Sequence, residues 1–173
     1  MLRVPVLVTD RLVLRAHESG DLERSAAMWA DPVVVRHIGN QPFSRQEVWS
    51  RLLRYVGHWA VLGYGYWAVT SRDDGHLLGE LGFADFKRSI EPSIEGVPEL
   101  GFALMREAHG KGFATEALRA VVAWGDERFA RTVAIVNPDN VVSQRVLDKL
   151  GYRDTHRTTY GGEAVRMFAR PRR

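Results

Sequence analysis

Hydrophobic and polar positions are ordered most clearly across residues 99–118. Leu100, Phe102, Ala103 and Leu104 form an apolar run short enough for a buried strand. A polar turn follows, in which Gly110 and Gly112 flank Lys111. Apolar residues then recur at Ala114, Ala117, Leu118, Val121 and Val122, the spacing of one helix face. Strand, glycine turn and helix start make a geometry that binds anions. The first N–H groups of a helix have no internal partner and carry the positive end of its dipole. Glycine lets an anion approach that backbone closely, and Lys111 adds a positive charge there. The stretch is not a Walker loop, because Gly-Lys lacks a following Ser or Thr, and the third glycine of the dinucleotide fingerprint is missing. A plain tight turn fits the same residues.

The rest of the chain supplies partners for this stretch. Residues 4–15 read as a strand broken at Thr9-Asp10, with Leu12 and Leu14 on one face. Ser19 or Asp21 caps a helix carrying Leu22, Ala26 and Trp29 on its apolar face, and Asp31-Pro32 ends it. A short turn over 33–38 stops at Gly39-Asn40. Ser44 and Glu47 form a capping box for a helix with Val48, Trp49, Leu52, Leu53, Val56 and Trp59 on one side. Strands at 66–70 and 76–86 flank the turn Asp73-Asp74-Gly75, and the second contains Gly79 and Gly82. Residues 89–97 form a loop. The helix after the glycine turn runs to about Phe129. A short strand at 132–136, a turn at 137–140 and a helix through Val142, Val146 and Leu150 come next. Strands near 152–155 and 163–169, joined by Tyr160-Gly161-Gly162, close the chain. The reading is one α/β (α+β) domain over residues 1–173, built on a mixed sheet.

Composition narrows the function classes. The chain has no cysteine, which excludes disulfides, thiolate metal sites and a thiol nucleophile and fits a reducing cytoplasm. The first ten residues lack the apolar core of a signal peptide, and no apolar run approaches membrane-spanning length. The formal charge of +3 is spread along the chain, apart from a short solvated tail at 171–173. That balance suits an anionic small ligand rather than nucleic acid.

A second block, Asn140-Val-Val-Ser143-Gln-Arg-Val-Leu147-Asp-Lys-Leu-Gly151-Tyr152, completes a recognisable pattern. With Thr9-Asp-Arg-Leu-Val-Leu-Arg15, Trp67-Ala-Val69, Gly79, Gly82 and the 99–118 stretch in order, the chain resembles the GNAT superfamily of acyl-CoA-dependent N-acetyltransferases. It is most similar to the RimJ/RimL-like branch. The resemblance implies a mostly antiparallel sheet of about seven strands flanked by about four helices, with a splayed cofactor cleft between the fourth and fifth strands. It implies acetyl-CoA as acetyl donor and no metal. Gly110, Lys111, Gly112, Phe113, Ala114 and Thr115 would wrap the pyrophosphate, with His109 where the family usually has Gln or Arg. Phe102, Ala103 and Leu104 would pair with the pantetheine. Asn140 would reach the cofactor, although asparagine also favours a helix N-cap.

Direct transfer needs a base for the ammonium, a donor for the oxyanion and an acid for the leaving thiolate. A backbone N–H near Leu104 suits the oxyanion. Glu99, set among Pro98, Leu100 and Phe102, is the candidate base, with a water chain or a merely solvated glutamate as alternatives. The tyrosine acid of many relatives is replaced by Leu147. Ser143, three residues after Asn140, resembles the branch's substitute, unless its hydroxyl is satisfied by its own helix. Tyr152 reads as core. The resemblance makes a protein N-terminal α-amino group, of ribosomal-protein type, the leading acceptor. Polyamines, amino-acid-like metabolites and antibiotics are the alternative acceptors, and a non-catalytic acyl-CoA-binding domain is the rival. The acceptor pocket is expected from the helices at 21–29 and 44–61 and the loop at 89–97, where Glu91 and Glu95 would attract a cation, a solvated loop explaining them equally well. A monomer or a homodimer fits equally well, without membrane or direct nucleic-acid partners.

Overall fold

A computed structural model describes residues 4–172; residues 1–3 and Arg173 of the basic tail lie outside them. Eight strands form one sheet: β1 (Leu7–Val8), β2 (Leu12–Arg15), β3 (Tyr66–Ser71), β4 (Leu77–Ala84), β5 (Glu99–Leu104), β6 (Arg131–Val136), β7 (Arg153–Tyr160) and β8 (Glu163–Pro171), in spatial order β1-β2-β3-β4-β5-β6-β8-β7. Five α-helices pack on it: α1 (Leu22–Ala30), α2 (Pro32–Val35), α3 (Arg45–Leu62), α4 (Phe113–Asp126) and α5 (Val141–Lys149). The mixed, mostly antiparallel sheet agrees with expectation, and each extra element has a local cause. Thr9 splits the first strand, because its N–H turns back to the Leu12 carbonyl at 2.9 Å. Pro32 ends α1 and also opens α2 at its first turn, where its missing N–H costs nothing; the Asp31 side chain caps Val33 at 2.8 Å.

All neighbouring strands are antiparallel except β5 and β6. Those two are parallel and share one registered pair, Glu99 opposite Val133, with Val133 N–H bonded to the Pro98 carbonyl at 3.0 Å. Beyond that pair they diverge. The splay expected from the resemblance is therefore present at the centre of the sheet.

The core lies on both faces of the sheet. On one, Leu12, Leu14, Trp67, Leu81 and Phe83 pack with Leu118, Val121 and Trp124 of α4 and Leu147 of α5. On the other, Ala103 packs with Met28 and Trp29 of α1 and Val48 of α3, and Tyr55 stacks on Tyr66. The buried stripe of α3 is Val48, Leu52, Tyr55 and Trp59. Trp49 and Leu53, placed on that stripe from the sequence, are 37% and 50% exposed. On α5 the buried positions are Gln144 and Leu147, while Val142 is 72% exposed. In both helices apolar residues span more than one face, so the sequence pattern alone leaves the rotation undetermined. The Ser44–Glu47 capping box forms as expected. Asp21 does not cap α1 with its side chain; its carboxylate takes Arg15 through both oxygens (2.7 and 2.9 Å) and the Glu18 N–H at 2.8 Å.

One buried group predicts acid sensitivity. His17 stacks on Tyr55, and neither ring nitrogen has a hydrogen-bond partner. Burial pushes its imidazole from 6.5 down to about 4, with Asp21 pulling it up and Arg15 pushing it down. Above the unfolded value both states are neutral and its stabilising share is complete. As pH falls from 6.5 toward 4, the unfolded chain takes a proton that the folded chain refuses, and on the order of 3 kcal/mol is lost. His17→Phe is expected to flatten the urea midpoint across that window; an unchanged slope would remove His17 as its cause.

Candidate functional site

The splay leaves one edge of β5 open. Backbone groups alternate in direction along a strand. The Pro98 carbonyl faces β6, so the backbone groups of Leu100, Phe102 and Leu104 face the same side. The Leu104 carbonyl is taken by His109, whose Nε2 lies 2.8 Å away and therefore carries the proton. His109 thus folds back onto the strand end and braces the turn. The Leu104 N–H and the Phe102 backbone remain on the edge. Ala103, which faces β4, pairs with Glu80 there.

The turn after β5 delivers the chain into α4 through two left-handed residues, Gly110 at φ 72° and Gly112 at φ 78°. Gly112 is the N-cap, and the first intrahelical bond runs from Glu116 N–H to its carbonyl at 3.0 Å. The N–H groups of Phe113, Ala114 and Thr115 precede that bond, and no side chain caps the helix. Lys111 is exposed beside them. Glu116 clamps this helix start to the β1–β2 turn: it accepts from Thr9 Oγ1 (2.6 Å), Arg11 N–H (2.8 Å) and Arg11 Nε (2.7 Å). Burial opposes its charge, but those bonds outweigh burial and hold its carboxyl below the ordinary value. Arg11 also bonds the Lys111 carbonyl at 2.9 Å and covers Phe113 at 4.3 Å.

A cleft of about 540 Å³ opens between the β5 edge, β6, α3 and the start of α5. Glu99, Phe102, Ala103, Asn140 and Ser143 all line it. Asn140 caps α5, its Oδ1 accepting from Ser143 N–H at 3.1 Å. The Ser143 hydroxyl forms no hydrogen bond to the protein among the described residues, so it is not satisfied by its own helix. Leu147 is fully buried core, and Tyr152 is core as expected, its hydroxyl 2.6 Å from Thr132 Oγ1.

Glu99 is buried, but its surroundings differ from the apolar ones expected. Arg88 reaches both its oxygens, Nε to Oε2 at 2.8 Å and Nη2 to Oε1 at 2.9 Å. Burial works against the Arg88 charge, but the bonds and charge of Glu99 outweigh it and raise the guanidinium further. The loop at 89–97 contributes no lining residue; Ile90 and Ile94 bury themselves against Val133 and Met167. Glu91 and Glu95 are exposed outside the cleft, and Glu95 pairs with Lys87 at 3.4 Å. The expected acidic lure is therefore absent from the cleft wall, which is built instead from Asp85, Phe86, Lys87 and Arg88.

Tyr66 is a contributor that no motif marks. Its ring stacks on Tyr55 at 4.4 Å and its hydroxyl lies against Gly101 at the middle of β5. Burial, then the nearby Glu99 charge, pushes its phenol up, so it stays protonated. A Cβ on Gly101 would sit 1.8 Å from that hydroxyl. The sequence signal was a glycine inside a strand, which marks close approach by another group. Gly101→Ala is expected to lower the melting temperature by several degrees, of order 2 kcal/mol. Adding Tyr66→Phe should recover most of it, because the nearest remaining ring atom is 3.0 Å away. Failure of that rescue would place the strain elsewhere.

Among the described residues no group of three or more His, Asp or Glu is arranged to hold a metal ion, and no helix is long and apolar enough to cross a membrane.

Comparison with known proteins gives a consistent picture. Residues 11–153 match the family model described as an acetyltransferase (GNAT) domain. The chain is 28% identical over 152 residues to the uncharacterized N-acetyltransferase YoaA of Bacillus subtilis (strain 168), covering 86% of this chain and 83% of that protein. A Bordetella pertussis structure assigned to the GNAT acetyltransferases superposes with a TM-score of 0.84 at 28% identity, over 96% of this chain and 99% of that one. The ribosomal L7/L12 alpha-N-protein acetyltransferase RimL, solved with coenzyme A, shares the fold at a TM-score of 0.77 and 19% identity, over 96% of this chain and 98% of that one.

Proposed function

The chain belongs to the GNAT acetyltransferase family, and from that premise we propose that it transfers acetyl directly from acetyl-CoA to the α-amino group of a protein N-terminus, in the manner of the RimJ/RimL-like branch, in the cytoplasm. One observation carries the reading: the open β5 edge and the free Ser143 hydroxyl share a single cleft walled by α3, and β5 runs on through the glycine turn to the uncapped start of α4 outside it. The likeness to a RimL structure supports the peptide acceptor at the level of fold.

The residues present suit the donor. Its pyrophosphate fits the N–H groups of Phe113, Ala114 and Thr115, reached past Gly110 and Gly112, with Lys111 alongside. Its pantetheine fits the free backbone edge at Phe102 and Leu104, with Ala103 lining the wall and Asn140 within the same cleft. When bound, acetyl-CoA supplies an activated thioester, so no protein nucleophile is needed. The Leu104 N–H, left on the open strand edge, would stabilise the developing oxyanion. Ser143 Oγ, which lines the cleft, would give a proton to the leaving sulfur, directly or through water. Glu99 takes the proton of the acceptor ammonium: each of its oxygens keeps an acceptor site after bonding Arg88. Arg88 fixes where that carboxylate points.

The test is release of CoA thiol from acetyl-CoA with a panel of N-terminal peptides, polyamines and aminoglycosides. Release with peptides and mass gain at their termini is the expected result. Release only with small amines would transfer the activity to that class. CoA binding without release with any amine would make this an acyl-CoA-binding domain.

A further inference from the structure

The cations of the cleft are unevenly matched. Four cationic side chains line it, Arg51, Arg54, Lys87 and Arg88, against two carboxylates, Asp85 and Glu99. Both carboxylates are already paired, Asp85 with Lys87 and Glu99 with Arg88, each at 2.8 Å. Arg51 and Arg54 have no carboxylate within 4.0 Å among the described residues. They stand at positions i and i+3 of α3, where like charges repel. Glu80 acts on both through space. It is buried, and its Oε1 is occupied by the Tyr55 hydroxyl at 2.7 Å and Trp29 Nε1 at 2.9 Å. His58 also faces the cleft; burial, then Arg54, lowers its pKa, so it adds no charge at neutral pH. His37 is the other imidazole on this wall.

Arg51 is held ready for a ligand. Its guanidinium carbon lies 4.0 Å from the Trp29 ring centre and 4.7 Å from that of Phe43. Nη1 donates to Tyr55 Oη at 3.1 Å, which passes its own proton toward Glu80. Packed against two rings and pinned at one nitrogen, the planar fork has less freedom left to lose, and its other N–H groups have no protein acceptor among the described residues. Arg54 covers Phe86 at 5.1 Å and is exposed. Residues 109–115, the place proposed for the pyrophosphate, do not line this cleft. The two arginines stand on the α3 wall of the cleft, apart from that turn.

We propose that Arg51 and Arg54 form a carboxylate subsite, and that the acceptor peptide carries an aspartate or glutamate close behind its terminal amine. The inference rests on the peptide reading above and deepens it. The planar guanidinium of Arg51 matches a carboxylate through two parallel bonds, while Arg54 supplies a second charge at the mouth.

Acetylation of three peptides that differ only at the second residue, aspartate, asparagine or lysine, tests this. The wild-type enzyme is expected to favour aspartate over asparagine by about tenfold in kcat/KM, with lysine poorer still. Added salt should narrow the difference. Arg54→Gln should reduce the aspartate preference severalfold, and Arg51→Lys, which keeps the charge and loses the fork, should do the same. Equal rates for the three peptides in the wild-type enzyme would overturn the subsite while leaving the peptide reading intact. A preference that survives both variants would also overturn it. Absence of acetylation of all three, with thiol release from a polyamine or aminoglycoside, would overturn the peptide reading and the subsite with it. The wild-type comparison stands even if Arg51→Lys fails to fold.

Discussion

Gly112→Val is expected to abolish measurable acetyl-CoA binding while the protein still folds. Gly112 sits at φ 78° and ψ 4° as the N-cap of α4. A β-branched residue in that left-handed conformation costs about 1–3 kcal/mol. The space around it tolerates a Cβ, whose nearest neighbour is Arg11 Nη2 at 3.5 Å. The fold therefore survives, as one strained surface turn is a fraction of a domain's stability. Binding does not, because the isopropyl group stands where the anion must approach the first N–H groups of the helix. Losing several charge-assisted backbone bonds, each about 1.5–3 kcal/mol, removes at least a hundredfold in affinity. Isothermal titration with CoA and a thermal melt separate the two effects. Retained affinity in a folded Gly112→Val protein would remove the pyrophosphate assignment.

Glu99→Gln is expected to lower kcat on the order of a hundredfold or more at neutral pH, with KM for acetyl-CoA little changed. The ion pair with Arg88 complicates a single substitution. Glutamine leaves a buried guanidinium facing an amide, and lost pairing by itself destabilises the protein. Pairing the change with Arg88→Met removes both charges and separates the roles. If Glu99 only balances Arg88, the double variant recovers stability and activity together. If Glu99 accepts the ammonium proton, the double variant recovers stability and remains slow. The pH–rate profile supplies a second readout. A pH–rate profile left unchanged in Glu99→Gln would assign the proton to water or another group.

Much of this protein is legible residue by residue. The 3.6-residue period of Ala117, Leu118, Val121 and Val122 places them on the buried face of α4, where the structure has them. The Ser44–Glu47 box opens α3 where it should, because capping is a contest among neighbouring groups only. Helix rotation was less legible. Trp49 and Leu53 are as apolar as the residues that bury, and Tyr55 wins a core position because Tyr66 and Glu80 on the sheet offer a stacking face and an acceptor. Glu99 shows the same limit at the site. Its chain neighbours are apolar, yet its partner Arg88 lies eleven positions away and meets it only when the loop folds.

The sequence by itself determined what depends on local chemistry: the glycine turn, the helix that follows, the capping residues and the order of elements through which the family resemblance speaks. Those features follow from backbone geometry and from spacing over a few residues. Only the tertiary structure decided which distant side chains meet. Tyr66 meets Gly101 across two strand registers, Glu116 reaches Thr9 and Arg11 over more than a hundred positions, and Arg51 packs against Trp29 and Phe43 from separate elements. Long-range contacts of this kind are set by how the sheet and helices stack, and spacing along the chain carries no record of them. The charge of the cleft wall depends on the same contacts. Ion pairing cancels Asp85 and Glu99, the loop carries Glu91 and Glu95 outside, and two arginines are left facing the cleft.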